Sequence, residues 1–182
     1  MQPNSEFDFD PVLLGATLRV RPINADEFEA LYAVASDPLL WEQHPARRRF
    51  ERPVFEQWFA DALVQHALVV EELTTRRVIG SSRYYHWDSA LREVAIGFTF
   101  IGRDHWGGTT NAELKRVMLD LAFRYADTVW FHVAPENMRS RKAVEKIGGT
   151  YSHTAVLAIN GGAAGEHVFY RIDAPERLRA DT

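Results

Sequence analysis

The chain has 182 residues, a net charge of -4, 46% hydrophobic and 25% charged residues, and no cysteine. That size and composition fit one soluble domain, residues 1–182, with a real core. The missing cysteines exclude disulfides, thiolate metal sites and a cysteine nucleophile, and the mild acidity argues against nucleic acid as partner.

The opening MQPNSEFDFDP is acidic and lacks the apolar run of a signal peptide. No stretch is long and apolar enough to span a membrane. A soluble cytoplasmic protein without a membrane partner is the expectation.

Residues 12–21, VLLGATLRVR, read as a first strand ending at Arg21-Pro22. Asn24 or Asp26 can then cap a helix with Phe28, Leu31, Tyr32 and Ala35 on one face. The segment from Asp37 to Pro53 reads as irregular, with Trp41, His44 and the run Arg47 to Arg49. The arginines suit either a solvated loop or contact with an acidic acceptor. Pro53 can open a second helix at its first turn. Phe55, Trp58, Phe59 and Ala62 make its apolar stripe, and Trp41 and Trp58 read as core or lid residues.

His66 to Leu73 and Arg77 to Trp87 read as antiparallel strands joined by Leu73-Thr74-Thr75-Arg76. Gly80 within the second predicts a bulge or a close backbone approach. From Glu93 to Gly149 the pattern is strand, glycine turn, helix, strand, helix. Val94, Ile96, Phe98 and Phe100 alternate with smaller or polar residues, which is strand periodicity. In HWGGTTN, Gly107 and Gly108 supply the freedom that a tight turn needs. Thr110 and Glu113 fit a capping box. Leu114, Val117, Met118, Leu121, Ala122 and Tyr125 repeat at helical spacing. TVWFHVA follows as a strand. In the next helix Ser140, Ala143, Val144 and Ile147 share a face, and Gly148 stops it. Tyr151 to Ile159 and His167 to Asp173 read as a hairpin across Asn160 to Gly165. The tail APERLRADT reads as frayed.

A glycine turn opening a helix can hold a phosphate, because its N–H groups and the helix dipole favour an anion. Trp106-Gly107-Gly108-Thr109-Thr110-Asn111 carries that turn, and Asn137, Ser140, Lys146 and Gly148 carry a second pattern, N-x-x-S with a terminal Lys and Gly. On these residues the stretch resembles the cofactor-binding half of the GNAT superfamily of acyl-CoA-dependent N-acyltransferases. Within it the chain is similar to the RimJ/RimL-like branch, which acetylates ribosomal-protein N-termini and related amines.

The expected fold is α/β (α+β): a mixed, twisted, mostly antiparallel sheet of about seven strands with helices on both faces. The resemblance implies that two central strands splay apart and take up acetyl-CoA, its pantetheine along Val94 to Ile101. It implies a backbone oxyanion donor near Phe98, Thr99 and Phe100. It also implies a pyrophosphate site at Trp106, Gly107, Gly108, Thr109, Thr110 and Asn111, with Asn137 and Ser140 near the sulfur. The partners implied are acyl-CoA and an amine acceptor, with the chain a monomer or homodimer.

Three departures stand out. Thr109 and Asn111 occupy positions where small residues are usual, and Thr109 needs a negative φ; the Thr109 and Thr110 hydroxyls can compensate as donors. Val144 stands where many members carry a tyrosine acid, leaving Ser140 or water to protonate the thiolate. The strand has Ala95-Ile96-Gly97 where Glu-Ile-Gly is common, with Glu93 two residues earlier.

Glu93 and Ala95 face one side, ~6–7 Å apart, so Glu93 can serve as base through an ordered water, or can be a strand-edge charge. His86, His105 and His132 are other candidate bases or structural histidines; His153 and His167 are weaker. No His, Asp or Glu cluster has metal spacing. A weak base suits an α-amine of pKa roughly 7.7–8.0 rather than lysine at about 10.4. Near pH ~7.5 about a third of α-amines are neutral, against about one lysine in a thousand. The catalytic set expected is therefore Glu93, Ser140 and Asn137. Two other classes stay open: a CoA-binding regulatory protein with weakened catalysis, and an enzyme of another nucleotide, for which G-x-G-x-x-G is missing.

Overall fold

The computed structural model describes residues 6–159 and 163–175. Residues 160–162 of the expected hairpin loop and the tail from 176 lie outside the described residues. Ala174, which opens that tail, is buried, and its N–H donates to Asp127 O at 2.8 Å.

In chain order the strands are β1 (Leu13–Leu14), β2 (Leu18–Pro22), β3 (Leu68–Glu72), β4 (Val78–Asp88), β5 (Glu93–Ile101), β6 (Thr128–Val133), β7 (Thr150–Leu157) and β8 (Gly165–Asp173). The helices are α1 (Phe28–Ala35) and α2 (Arg52–Val64) before β3, α3 (Thr110–Ala122) between β5 and β6, and α4 (Met138–Lys146) between β6 and β7. The strands form one sheet in the order β1-β2-β3-β4-β5-β6-β8-β7. Every pairing is antiparallel except β5 with β6.

The sheet has eight strands rather than about seven because Gly15 breaks the run 12–21. Its N–H donates to Leu18 O at 2.9 Å, closing a turn. A Cβ there would meet the Glu113 carboxylate at 2.2 Å, so a side chain at 15 would displace Glu113 from Thr17. Gly80 behaves as expected: the β3–β4 register shifts beside it, and a Cβ there would sit 2.2 Å from Phe100 O.

Helices cover both faces. On one, Leu114, Val117, Met118 and Leu121 of α3 and Val144 of α4 pack on Val94, Ile96, Val129 and Phe131. On the other, Leu31 and Ala35 of α1 and Phe55, Trp58 and Ala62 of α2 pack on Val69, Val78 and Phe100. Leu68 and Val70 join the first cluster and Val69 the second, as the pleat demands. Each fully buried large apolar side chain contributes about 1.5–3 kcal/mol. Trp41 is core, with its Nε1 donating to Ala35 O at 2.7 Å. Within the irregular segment Pro38–Trp41 forms a single 3-10 turn.

β5 and β6 pair at three positions only, Glu93 with Thr128, Val94 with Val129 and Ala95 with Trp130. Beyond Ala95 the two strands part, and the opening between them is the mouth of the molecule's large cleft.

Candidate active site

The cleft measures ≈ 890 Å³. Its floor is the parted ends of β5 and β6; the glycine turn, α3 and α4 close one side, and the segment before α2 roofs it.

β5 is bulged at this point. Gly97 pairs with Arg83 and Phe100 with Ser81, so Ser82 alone faces Phe98 and Thr99. Phe98 has φ +53, in the left-handed region unfavourable to a bulky side chain. Such strain, held by its surroundings beside a cleft, turns a backbone N–H out of the ladder. The knot that holds it is polar. Ser82 Oγ and Thr99 Oγ1 are 2.8 Å apart, and both reach Gly97 O, at 3.3 and 3.4 Å. A Cβ on Gly97 would press on the Tyr85 ring at 2.9 Å.

At the far end Gly107 has φ +75, and an added Cβ would meet nothing within 4 Å. Trp106 Nε1 donates to Ile101 O at 2.9 Å, tying the turn to β5. The expected capping box does not form. Thr109 is the N-cap, with φ -93, and no side chain caps the helix. Glu113 instead accepts from Thr17 N at 2.7 Å and Thr17 Oγ1 at 2.6 Å. This tertiary partner outcompetes the local one and leaves the first-turn N–H groups of α3 without a side-chain cap. Gly107, Gly108 and Asn111 line the cleft, whereas the side chains of Thr109 and Thr110 are not part of its wall.

Across the cleft Asn137 is the buried N-cap of α4, accepting from Ser140 N at 3.2 Å. Its NH2 makes no hydrogen bond among the described residues and so is open to a ligand. Asn137, Ser140 and Val144 all line the cleft, and Gly148 ends the helix segment with φ +98. Arg139, unremarked in the sequence, joins roof to turn. Its N–H donates to Gln43 Oε1 at 3.0 Å and its Nη2 to Leu40 O at 2.7 Å. Its guanidinium lies 4.1 Å over Trp106.

Phe98, Thr99, Phe100, Trp106, Gly107, Gly108, Asn111, Asn137 and Ser140 are thus brought together. Glu93 is not. It sits where β5 and β6 are still paired, four residues before Gly97, and takes no part in the cleft wall. No Asp or Glu lines the cleft among the described residues, while Arg49, Lys115 and Arg139 do.

Lys115 is the residue the sequence reading missed. It lies next to the apolar stripe of α3 and is 5% exposed. Its Nζ donates to Thr99 Oγ1 at 2.5 Å and to Ser82 Oγ at 3.4 Å. Burial pushes it down to about 7. No periodicity marks such a residue, because its destination is a polar knot built by other strands.

The histidines divide. His105, His132 and His167 line the cleft, as does His44; His86 and His153 do not. Burial pushes His132 and His44 down to about 3, so both are neutral near pH 7. Tyr85 OH is 2.9 Å from His132 Nδ1. Burial holds that phenol far above its usual range, so it stays protonated. Among the described residues no group of three or more metal-ligating side chains occurs. No helix there is long and apolar enough to cross a membrane.

A cationic cleft with uncapped helix N–H groups at one end and a strained strand bulge at the other has the parts to hold an acyl donor bearing phosphates. Fold and cleft together define a CoA-dependent acyltransferase. The family model described as an acetyltransferase (GNAT) domain matches residues 17–150, well over half the chain, and the chain therefore belongs to the GNAT acetyltransferases. It is accordingly an N-acetyltransferase with acetyl-CoA as acyl donor. Solved structures agree in fold. A GCN5-related N-acetyltransferase from Brucella melitensis has TM-score 0.79 at 18% identity, over 92% of this chain and 80% of that one. A GNAT-family acetyltransferase from Bacillus anthracis has TM-score 0.72 at 16% identity, over 90% and 98%. Mycobacterium smegmatis RimJ in complex with CoA-disulfide has TM-score 0.67 at 18% identity, over 93% and 89%. No curated protein matches the sequence.

Proposed function

We propose that the protein acetylates a neutral α-amine, of a peptide N-terminus or an amino-acid-like small molecule, by direct attack in a ternary complex. The observation that carries this reading is a single cleft, lined by no carboxylate among the described residues, that joins the bulge at Phe98, the uncapped start of α3 and the Asn137–Ser140 pair. Acetyl-CoA, when bound, supplies an acetyl group activated as a thioester.

The residues present fit that donor. Gly107, Gly108 and the N–H groups of Thr109, Thr110 and Asn111 suit a pyrophosphate at the helix start. The backbone N–H groups of Phe98 to Phe100 supply a donor where negative charge develops. The Asn137 amide and Ser140 hydroxyl flank the sulfur, and Ser140 or water returns a proton there, since Val144 cannot. With Glu93 outside the cleft, the base we assign is neutral Lys115, which takes the amine proton through the Thr99 hydroxyl.

The cationic wall also disfavours a charged amine, lowering the pKa of whatever binds. This reaches a peptide α-amine, which titrates near pH ~8, far more easily than a lysine. The resemblance of the Trp106–Asn111 and Asn137–Ser140 motifs to the RimJ/RimL-like branch, which acetylates ribosomal-protein N-termini, puts peptide N-termini on the acceptor panel. We place the activity in the cytoplasm, in a monomer or homodimer.

The test is calorimetry with CoA and with NAD, followed by acetyl-CoA turnover over a panel of amines. CoA binding, no NAD binding and turnover with α-amines are expected. CoA binding without turnover of any amine would overturn the catalytic reading in favour of a CoA-binding protein.

A further inference from the structure

Two arginines on the α1/α2 side of the splay, Arg83 buried and Arg49 half-buried, have no carboxylate at hydrogen-bonding distance among the described residues. Arg49 belongs to a run of three, but only its neighbours behave as solvated charges. Arg48 is exposed and paired with Glu51 at 2.7 Å, and Arg47 is exposed. Arg49 turns inward and lines the cleft. Its guanidinium lies 5.0 Å over the Trp41 ring and 5.9 Å over Trp58. It makes no side-chain hydrogen bond or ion pair among the described residues.

Behind it stands Arg83, 1% exposed in the middle of β4. One terminal nitrogen donates to Gln65 Oε1 at 2.5 Å, its Nε has no partner, and its guanidinium lies 4.2 Å over the Phe98 ring. Burial pushes both groups down to about 10. Repulsion from Arg83 adds to the fall at Arg49, whereas Asp61 and Tyr85 oppose it at Arg83.

Aromatic faces hold a guanidinium in place but do not neutralise it. A charge withdrawn from water without a partner is costly, and Arg83 is buried with the half-buried Arg49 beside it. The phosphate end of the cleft does not meet this need. It lies at Gly107 and α3, where Arg139 stacks on Trp106. Arg49 instead stacks on Trp41 and Trp58, which pack with Phe100 on the sheet face opposite α3.

We propose that Arg49, backed by Arg83, receives a carboxylate carried by the acceptor, so that the preferred acceptors bear an anionic group near the reacting α-amine. This rests on the N-acetyltransferase reading and deepens it. The carboxylate has two sources, the α-carboxylate of a free amino acid or an acidic side chain beside a peptide N-terminus. Arg is suited to either, because its planar fork binds a carboxylate through two N–H groups.

The experiment compares acceptors that differ in that charge, a free amino acid against its amide and Ser-Asp-amide against Ser-Asn-amide, with kcat/KM expressed per neutral amine because an α-carboxylate raises the pKa of the amine beside it. A charge-assisted contact of this kind predicts about a 10- to 100-fold higher kcat/KM for the anionic member of one pair. Which pair responds identifies the source. In Arg49→Met that ratio falls towards one, and in Arg49→Lys part of it survives. CoA affinity is measured beside it by calorimetry. Equal rates within both wild-type pairs would overturn the proposal while leaving the acetyltransferase reading intact; no turnover of any amine would overturn both. A loss of CoA affinity in Arg49→Met with the ratio retained would assign Arg49 to a CoA phosphate and overturn the proposal. The wild-type comparison decides the matter even if the variant does not fold.

Discussion

Lys115 Nζ lies 2.5 Å from Thr99 Oγ1, inside the polar knot that holds the β5 bulge open. A lysine from the helix proposed to bind phosphate thus reaches the strand proposed to hold the acetyl group. It is buried there, and no carboxylate lines the cleft around it among the described residues.

That burial makes stability depend on pH. Lys115 titrates at about 7 in the folded protein, against about 10.4 in the unfolded chain. Between these values the unfolded chain binds more protons, so stability rises with pH through that window. Below it both states carry the charge, and the burial cost is felt in full. Lys115→Met is expected to melt above wild type near pH ~6, with the gap closing as the pH rises towards ~10. A gap independent of pH would contradict a depressed Lys115.

As base, Lys115 gives a rate that climbs through its own titration. In Lys115→Met, kcat is expected to fall by about 10²–10⁴ and to lose that climb. A full rate with an unchanged profile would remove Lys115 from the proton path.

Gly108 tests the phosphate site. An added Cβ would meet nothing nearer than His105 O at 3.9 Å, so Gly108→Asp is expected to fold. Its carboxylate would stand against the pyrophosphate and abolish CoA binding. Unchanged CoA affinity by calorimetry would sink the assignment.

Asn137 combines a cap and a ligand contact, and two variants separate them. Asn137→Ala loses the cap and is expected to lose about 0.5–2 kcal/mol of stability as well as rate. Asn137→Asp keeps the capping oxygen but not the NH2, so it should keep the melting temperature and still lose rate. Full activity in both would reduce Asn137 to a helix cap.

Glu93→Gln is expected to leave the pH–rate profile unaltered, because Glu93 lies at the paired end of β5 and outside the cleft. A lost limb of the profile would restore it to the mechanism.

What could be read from the sequence was local. β5 begins and ends where alternation placed it, and α2 opens with Pro53 in its first turn and buries the Phe55, Trp58, Phe59 and Ala62 stripe. The register shift beside Gly80 and the stop at Gly148 followed from glycine alone. What escaped depended on partners distant in sequence. Glu113 looked like a capping residue until Thr17 was seen to claim it across 96 positions. Nothing in the spacing of α3 marks Lys115, and nothing in the run separates Arg49 from Arg47 and Arg48; the packing alone turns both inward. The splay came from resemblance, since no periodicity announces where two strands stop pairing.

The most direct test of the central claim is to incubate the protein with acetyl-CoA and a peptide carrying one free α-amine and one lysine, and to locate the acetyl group by mass spectrometry. A single acetyl group on the α-amine is expected, formed faster as the pH rises through about 7. Acetylation at the lysine, or none on this peptide or on free amino acids, would contradict it.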